Sequence, residues 1–404
     1  MRALATLLTL LATTFACGGG GDGSPDAGGD ATSPDGAGGL DAPAPLDAAG
    51  SDGAGPDAAP GVTTLRVHYD TGLGNRISVR GDGAGLAWTQ GQDCTWSTGN
   101  VWVCEVPAVA AFEWKPLFND ATWAPGANWR AQPGATVDVY PHFFASSGRI
   151  VAHRGFAAAA VDDRDVLVYL PPGYDENPLE TYPVVFMHDG QNLFDAATAF
   201  GGVEWRIDEA MDALAGGGGI REAIIVGVYN TASRIHDYTP TVDGSIGSGG
   251  GADAYLDFLA DELRPFIAAT YRVAPGRVGL AGSSLGGLVS LYGCWQRPTV
   301  FDRCGVFSPS LWWDEGYLPA LVAADPATAA DKPLTIYLDS GDSGASNDGM
   351  AATAAMRDLL VSKGWVLDAS LRYVLGEGHA HNETAWAARA PAALAFLLDD
   401  PDRI

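Results

Sequence analysis

One stretch constrains the fold of this chain more than any other. It is an apolar run, a glycine-rich turn and a second apolar run, R-V-G-L-A-G-S-S-L-G-G-L at 277–288. Two glycines flank Ser284 as G-x-S-x-G, whereas Ser283 would need glycines where Ala281 and Leu285 stand. The pattern is typical of a tight strand-to-helix turn that holds a serine in a strained conformation beside a helix N-terminus. A glycine-rich turn with a buried, inactive serine has the same five letters, so the rest of the chain must distinguish the two.

Apolar strands alternate with helical segments from residue 149 onward. The strand-like runs include V-L-V-Y-L-P-P-G-Y, P-V-V-F-M-H-D-G and A-I-I-V-G-V, and the segment 252–270 carries large apolar residues on one helical face. Buried strands that alternate with helices predict a mostly parallel sheet covered on both faces. We therefore predict an α/β domain over 149–404, with the glycine-rich turn after a strand in the middle of that domain.

The segment 61–142 follows a different pattern. Five or more short alternating strands are separated by turns rich in Gly, Asn and Asp, without a helical run, which predicts a small all-β sandwich. The order F-E-W-K-P-L-F-N-D…W-A-P-G-A-N-W resembles the starch-binding-like modules, and this resemblance implies glycan binding by residues 61–142. Exposed tryptophans could stack against sugar rings there, although a packing module that binds no sugar is equally consistent. The segment contains six tryptophans: Trp88, Trp96, Trp102, Trp114, Trp123 and Trp129.

The N-terminal 60 residues predict export and a spacer. Arg2 and the short apolar run after it indicate a signal peptide over 1–17, too short to span a membrane as a helix. Cys17 follows a tripeptide that loosely matches a lipoprotein signal, so lipidation of Cys17 and ordinary cleavage after Ala16 are both open. Residues 18–60 are a low-complexity Gly/Ala/Pro/Asp linker that we predict to be disordered. We expect a cell-surface or periplasmic lipoprotein or a secreted protein, with membrane contact only through the lipid anchor.

The five cysteines and the net charge limit the chemistry further. Cysteines pair at equal spacing as Cys94 with Cys104 and Cys294 with Cys304, so two local disulfides and a lipidated Cys17 account for all five. Free buried thiols are the alternative. No His/Cys spacing suggests zinc, and we expect neither a metal nor a cofactor. The net charge of −26 argues against a nucleic-acid partner.

A serine becomes a strong nucleophile only when a base takes its proton. Only two histidines follow the glycine-rich turn, His379 and His381, and both lie in the loop after the last apolar strand. An orienting acid is expected in the loop after the preceding strand, which offers Asp342 and Asp348. Asp348 is slightly favoured, although its place just before a helix also suits an N-cap.

An oxyanion hole requires two backbone N–H groups. The residue after the nucleophile, Leu285, would supply one. The loop after P-V-V-F-M-H would supply the other, from Asp189, Gly190 or Gln191.

Four motifs together resemble one esterase family of the α/β-hydrolases. They are Y-P-V-V-F-M-H-D-G-Q-N-L-F-D, I-I-V-G-V-Y-N-T-A-S-R-I-H-D-Y-T-P, G-S-S-L-G-G and V-F-S-P-S-L-W-W, spread over 161–398. This family includes enterochelin-type siderophore esterases, feruloyl and acetyl-xylan esterases, and mycolyltransferases. The resemblance implies Ser284 as nucleophile and His381 as base, with His379 as the alternative, but the acid loop departs from the family's compact pattern. It also implies pocket residues in the loops near strand ends: Asn192, Trp205, Arg234, Trp312 and Trp313.

The sequence therefore predicts an exported serine esterase that hydrolyses carboxylic esters through an acyl-enzyme. An acylated polysaccharide and an ester siderophore are both suitable substrates. Two alternatives remain open, an acyltransferase of the mycolyltransferase type and a non-catalytic carbohydrate-binding surface lipoprotein.

Overall fold

The computed structural model describes residues 61–403. The predicted signal peptide, Cys17 and the linker over 18–60 lie outside the described residues. Within the described range, no helix combines the length and apolarity needed to cross a membrane.

Nine short strands form two sheets at the start of this range. They are β1 (Gly61–His68), β2 (Ile77–Gly81), β3 (Gln92–Asp93), β4 (Thr95–Ser97), β5 (Val101–Ala108), β6 (Phe112–Phe118), β7 (Thr122–Trp123), β8 (Trp129–Ala131) and β9 (Thr136–Val139). One sheet has the order β4-β5-β1-β9, and the other has the order β3-β2-β6-β7 with β8 paired to β6. Alternate side chains of both sheets, such as Leu65, Val67, Ile77 and Val79, form a common core.

The tryptophans of the sandwich divide between core and surface. Trp102, Trp114 and Trp129 are buried, whereas Trp96 is 54% exposed and Trp123 is 40% exposed. Cys94 and Cys104 form a disulfide that joins the segment before β4 to β5. Half of the six tryptophans are therefore core residues.

An eight-stranded sheet follows in the order β10-β11-β13-β12-β16-β17-β18-β19. Its strands are β10 (Arg149–Phe156), β11 (Arg164–Leu170), β12 (Val184–His188), β13 (Ile224–Val228), β16 (Val278–Ser283), β17 (Phe301–Phe307), β18 (Thr335–Gly341) and β19 (Leu371–Gly376). Two further strands, β14 (Val242–Asp243) and β15 (Ser248–Gly249), pair only with each other. β11 is antiparallel to both β10 and β13, and all pairs from β13 to β19 are parallel. The predicted α/β-hydrolase sheet is confirmed.

Helices cover both faces of this sheet. They are α1 (Gly173–Glu176), α2 (Ile207–Gly217), α3 (Arg234–Asp237), α4 (Ala252–Asp257), α5 (Arg264–Thr270), α6 (Leu285–Gln296), α7 (Trp313–Ala324), α8 (Met350–Ser362) and α9 (Glu383–Leu397). A π-helical segment, Phe258–Leu263, joins α4 to α5. Buried residues of α2 and α9 pack on one face, and those of α4 to α8 pack on the other. Cys294 of α6 and Cys304 of β17 form the second disulfide.

The sandwich contacts the edge of the sheet where the parallel strands begin. The Glu176 carboxylate of α1 accepts hydrogen bonds from the Phe143 and Ala145 N–H groups and the Tyr69 hydroxyl. The Asn177 side chain donates to the carbonyls of His68 and Pro141. Because β11 is antiparallel to β13, its carboxyl end and the α1 that follows lie at the amino ends of the parallel strands. The glycine-rich turn follows the carboxyl end of β16, so the sandwich and this turn lie at opposite edges.

Glu180 lines a cleft of about 490 Å³ between the sandwich and the α/β domain. Burial raises the pKa of Glu180 from its ordinary value of 4.5 to about 7, against the attraction of Arg221. A raised folded-state pKa means that the associated stability is complete below pH 4.5 and is lost as the pH rises through about 7.

We expect Glu180→Gln to change the free energy of unfolding little at pH 4.5, where the wild-type side chain is protonated. At pH 8 the variant should be more stable than the wild type, by on the order of 2 kcal/mol. Urea unfolding of both proteins at the two pH values measures this difference. Equal effects of the substitution at both pH values would contradict the burial of a titrating Glu180.

Candidate active site

The turn at Ser284 is held by close packing around its glycines. Ser284 lies between β16 and α6 with φ 58° and ψ −120°, a strained conformation for a residue with a Cβ atom. A Cβ atom on Gly282 would lie 3.0 Å from the His188 ring and 3.1 Å from the backbone of Gly286. Small residues are therefore required on both sides of the serine, as the G-x-S-x-G pattern predicts.

A buried histidine, His188, packs against this turn. His188 Nδ1 lies 2.8 Å from the Tyr255 hydroxyl, and the ring packs against Gly282. Burial lowers the pKa of His188 to about 3, so its ring is neutral at physiological pH. His188 thus packs against the turn as an uncharged side chain.

The structure brings Asp348 and His381 together. Asp348 Oδ1 lies 2.5 Å from His381 Nδ1, while Asp342 accepts a hydrogen bond from the Gly378 N–H at 2.7 Å. Burial by itself would raise the pKa of Asp348, but hydrogen bonds from His381, Ser308 and the Gly341 N–H outweigh burial and lower it. Asp348 is therefore a carboxylate at neutral pH and can orient the His381 ring.

The other predicted histidine points to a different partner. His379 Nδ1 lies 3.1 Å from Arg389 Nη1. His379 thus contacts a buried arginine rather than the Asp348 carboxylate.

The Ser284 hydroxyl lies in the same cavity as His381. Its Oγ atom is 3.2 Å from Ser310 Oγ, and among the described residues it makes no hydrogen bond to the His381 ring. Catalytic hydrogen bonds are often long without substrate and shorten in the substrate complex. The arrangement therefore suits a resting site.

The loop after β12 is fixed by an ion pair. Asp189 has φ 56°, and its carboxylate accepts two hydrogen bonds from Arg234, each 2.8 Å, and one from Asn230. The Asp189 N–H donates to the Tyr238 hydroxyl, whereas the Gln191 N–H has no acceptor among the described residues. Gln191, unlike Asp189, therefore has a free N–H donor beside the cavity, and the Gly190 N–H likewise has no acceptor among the described residues.

The cavity at this site has a volume of about 350 Å³. Most of the residues that line it have polar or charged side chains, but apolar atoms contribute the larger part of its surface. Burial raises the pKa of Glu383. Burial opposes the charge of Arg234, but the hydrogen bonds to Asp189 outweigh burial and raise the pKa of Arg234. The lining residues are Asp189, Gln191, Asn192, Phe200, Asn230, Arg234, Ser283, Ser284, His381, Glu383 and Trp386.

Comparison with protein families identifies the family of this chain. The family model described as "Putative esterase" matches residues 158–397, more than half of the chain. The chain belongs to this esterase family. Its α/β-hydrolase domain and the resemblance seen in its motifs are thereby confirmed.

Several relatives of this esterase are siderophore esterases. The siderophore triacetylfusarinine C esterase of Aspergillus fumigatus is 36% identical over 137 residues, which are 33% of this chain and 45% of that protein. The ferri-bacillibactin esterase of Bacillus subtilis is 26% identical over 201 residues, 45% of this chain and 66% of that protein. The chain thus spans less than two thirds of the length of either relative.

Solved structures include similar chains. The IroE-like serine hydrolase from Shewanella oneidensis is 24% identical, with a TM-score of 0.49 and coverage of 61% of this chain and 80% of that one.

Three residues expected in the esterase pocket lie elsewhere. Trp205 is buried behind the cavity against Phe307 and Trp386. Trp313 is buried, and its indole N–H donates to the Thr241 carbonyl. The neighbouring Trp312 points to solvent with 60% exposure. These expectations came from position near strand ends, which does not determine which way a side chain points.

Other residues of the esterase pocket were not predicted from the sequence. Asn230 follows β13, and Glu383 and Trp386 begin α9, so all three lie just beyond strand ends or at a helix start. The available signal for Asn230 was its place in the quoted motif that contains Y-N-T-A. For Glu383 and Trp386 it was the sequence H-N-E-T-A-W at 381–386, which begins with the predicted base His381. Phe200, in a short 3-10 helix before α2, had no such signal.

Proposed function

We propose that Ser284, His381 and Asp348 form the catalytic triad of this esterase. The observation that carries the proposal is the 2.5 Å contact between Asp348 Oδ1 and His381 Nδ1, with His381 and Ser284 lining one cavity. The strained backbone of Ser284 supports its role, because such strain is common at nucleophiles on strand-to-helix turns.

The proposed reaction follows from these contacts. His381 Nε2 takes the Ser284 proton as Oγ attacks the ester carbonyl, and Asp348 stabilises the imidazolium through Nδ1–H. The N–H groups of Leu285 and Gln191 hold the oxyanion. His381 then protonates the leaving alcohol, and water activated by the same ring hydrolyses the acyl-enzyme.

The two histidines distinguish this assignment from its alternative. We expect His381→Ala to lower kcat/KM by about 10⁴-fold, since it removes the base. His379→Ala should keep most of the activity, because His379 contacts Arg389 and not Asp348 or Ser284. Initial rates on a soluble p-nitrophenyl ester measure both, and an inactive His379 variant beside an active His381 variant would reverse the assignment.

We propose an ester siderophore as the substrate. Two curated relatives are named as siderophore esterases, and a third is named as a ferri-bacillibactin esterase. Asp189, Arg234 and Glu383 line the cavity, and these charged side chains favour an ester that carries polar groups.

A substrate panel tests this proposal. Triacetylfusarinine C, enterobactin, bacillibactin, acetylated xylan and a feruloylated sugar would be incubated with the full chain, and products would be identified by mass spectrometry. Ser284→Ala is the matched control for background hydrolysis. Turnover of a siderophore at least tenfold above that of the sugar esters supports the proposal, and preferential deacylation of xylan would contradict it. Added alcohol or sugar acceptors would reveal acyl transfer as a new ester product.

A second function rests on an aromatic pair of the sandwich. The rings of Trp88 and Trp123 lie 6.1 Å apart, with the Arg80 guanidinium 5.2 Å from the Trp123 ring. We propose that this pair binds a glycan by stacking. Trp123→Ala should abolish retention on immobilised polysaccharide, whereas Trp96→Ala, at a tryptophan outside the pair, should not. Equal retention of all variants would contradict this function.

Export and lipidation of Cys17 remain proposals from the sequence. Labelled palmitate should enter the wild type and not Cys17→Ser in bacterial cells, and equal labelling would contradict lipidation.

A further inference from the structure

A buried polar cluster lies behind Asp348, and no step of the proposed reaction uses it. Its members are Asp339 in β18, Ser308 after β17, and Trp386 and Arg389 in α9, all of them buried. Three separate elements therefore meet near Oδ2 of Asp348, the carboxylate oxygen that does not contact His381 Nδ1.

The Ser308 hydroxyl stands at the centre of this cluster. Its oxygen accepts hydrogen bonds from Trp386 Nε1 at 3.0 Å and from Arg389 Nη2 at 2.9 Å. The same oxygen lies 2.5 Å from Asp348 Oδ2. A hydroxyl has two lone pairs and one proton, so the two donors leave its proton to Asp348 alone.

Arg389 is held in place by Asp339. The Asp339 carboxylate accepts from Arg389 Nε at 2.8 Å, Arg389 Nη2 at 3.0 Å, the Tyr337 hydroxyl at 3.0 Å and the Ser308 N–H at 3.0 Å. Burial raises the pKa of Asp339, against the hydrogen bonds and charge of Arg389. The four donors occupy both carboxyl oxygens and fix the plane of the guanidinium. Arg389 has two other charged or titratable neighbours. His379 Nδ1 lies 3.1 Å from Arg389 Nη1, and Asp348 Oδ2 lies 3.9 Å from Arg389 Nη2.

We propose that Ser308 is a positioning residue of the reaction. Trp386 and Arg389 orient its hydroxyl so that it donates to Asp348 Oδ2. This contact holds Asp348 as a charged acceptor with Oδ1 directed at His381 Nδ1. The inference rests on the proposed triad, since Ser308 acts only through Asp348. It assigns a role to the second serine-containing motif, V-F-S-P-S, that differs from pocket lining.

Ser308→Ala tests the proposal. Loss of a hydrogen bond to a carboxylate should lower kcat by roughly 10- to 100-fold. KM should change by less than about threefold, because Ser308 does not line the cavity. The far-downfield proton NMR resonance of a histidine Nδ1–H bonded to a carboxylate should shift or broaden in the variant. A purely structural role would leave both kcat and this resonance unchanged in the folded protein.

The matched control is Ser340→Ala. Ser340 is a buried serine next to Asp339, and its hydroxyl has no partner among the described residues. This control should keep wild-type kcat and the wild-type resonance. If Ser308→Ala does not fold, Trp386→Phe removes one of the two donors and keeps a ring beside His381, so a lowered kcat and a shifted resonance are still expected.

Two outcomes separate this inference from the triad. Wild-type kcat and resonance in Ser308→Ala, or in Trp386→Phe if the alanine variant does not fold, would overturn the positioning role, even if Asp348→Asn is inactive. An active Asp348→Asn variant would instead overturn the triad and the positioning role together. In the Ser308→Ala/Trp386→Phe double variant, a loss well below the product of the single losses supports one shared contact, and losses that multiply would contradict it.

Discussion

Ser284→Ala is expected to lower kcat/KM for short esters by about 10⁴-fold or more, since it removes the nucleophile that forms the acyl-enzyme. The fold should persist, because alanine keeps the Cβ atom and so accepts the same strained backbone at φ 58°. Rates on p-nitrophenyl acetate and a siderophore ester, measured with the same enzyme preparation, give the effect for both substrates.

The control for this experiment is the thermal unfolding of the variant. A melting temperature within a few degrees of the wild type and an unchanged circular dichroism spectrum would show that only the chemistry is lost. A folded Ser284→Ala variant that retains turnover would exclude Ser284 as the nucleophile.

Asp348→Asn is expected to lower kcat by about 10³- to 10⁴-fold, because an amide cannot fix the His381 ring in the tautomer that accepts the serine proton. The matched variant Asp342→Asn should stay within about threefold of the wild type, since Asp342 contacts the Gly378 N–H and not the histidine. Single-turnover acylation rates for the two variants compare the acids at the chemical step.

The reverse pattern would reassign the acid. An inactive Asp342→Asn variant together with an active Asp348→Asn variant would show that the loop adopts another path in the working enzyme. Because Asp348 also accepts from Ser308 and the Gly341 N–H, its asparagine variant should unfold at a lower temperature than the Asp342 variant.

The parallel sheet and the turn at Ser284 could be predicted because their signals are local. Apolar runs in the sequence predict the β-strands, and the G-x-S-x-G pattern predicts the turn, where an added Cβ atom on Gly282 or Gly286 would lie 3.0 Å or 3.3 Å from His188. The choice between Asp342 and Asp348 could not be made, since it depends on the path of a loop. Three successive residues there, 346–348, adopt positive φ values, which sequence propensity does not foresee.

The polar cluster around Ser308 also could not be predicted from the sequence. Asp339 lies within an apolar strand, and its partner Arg389 lies 50 residues later in α9. Only the packing of α9 against β18 brings the two together. The position of the sandwich could not be predicted from the sequence either. Nothing in its strands indicates that Glu176 will bind it at the edge of the sheet opposite Ser284.

Covalent labelling tests the central claim most directly. A fluorophosphonate forms a stable bond to an activated serine, and the labelled residue can be identified by peptide mass spectrometry. The structure predicts one equivalent of label on Ser284, lost in His381→Ala and unaffected by His379→Ala. Label on Ser283, or no label on an enzyme that still hydrolyses esters, would contradict the proposed mechanism.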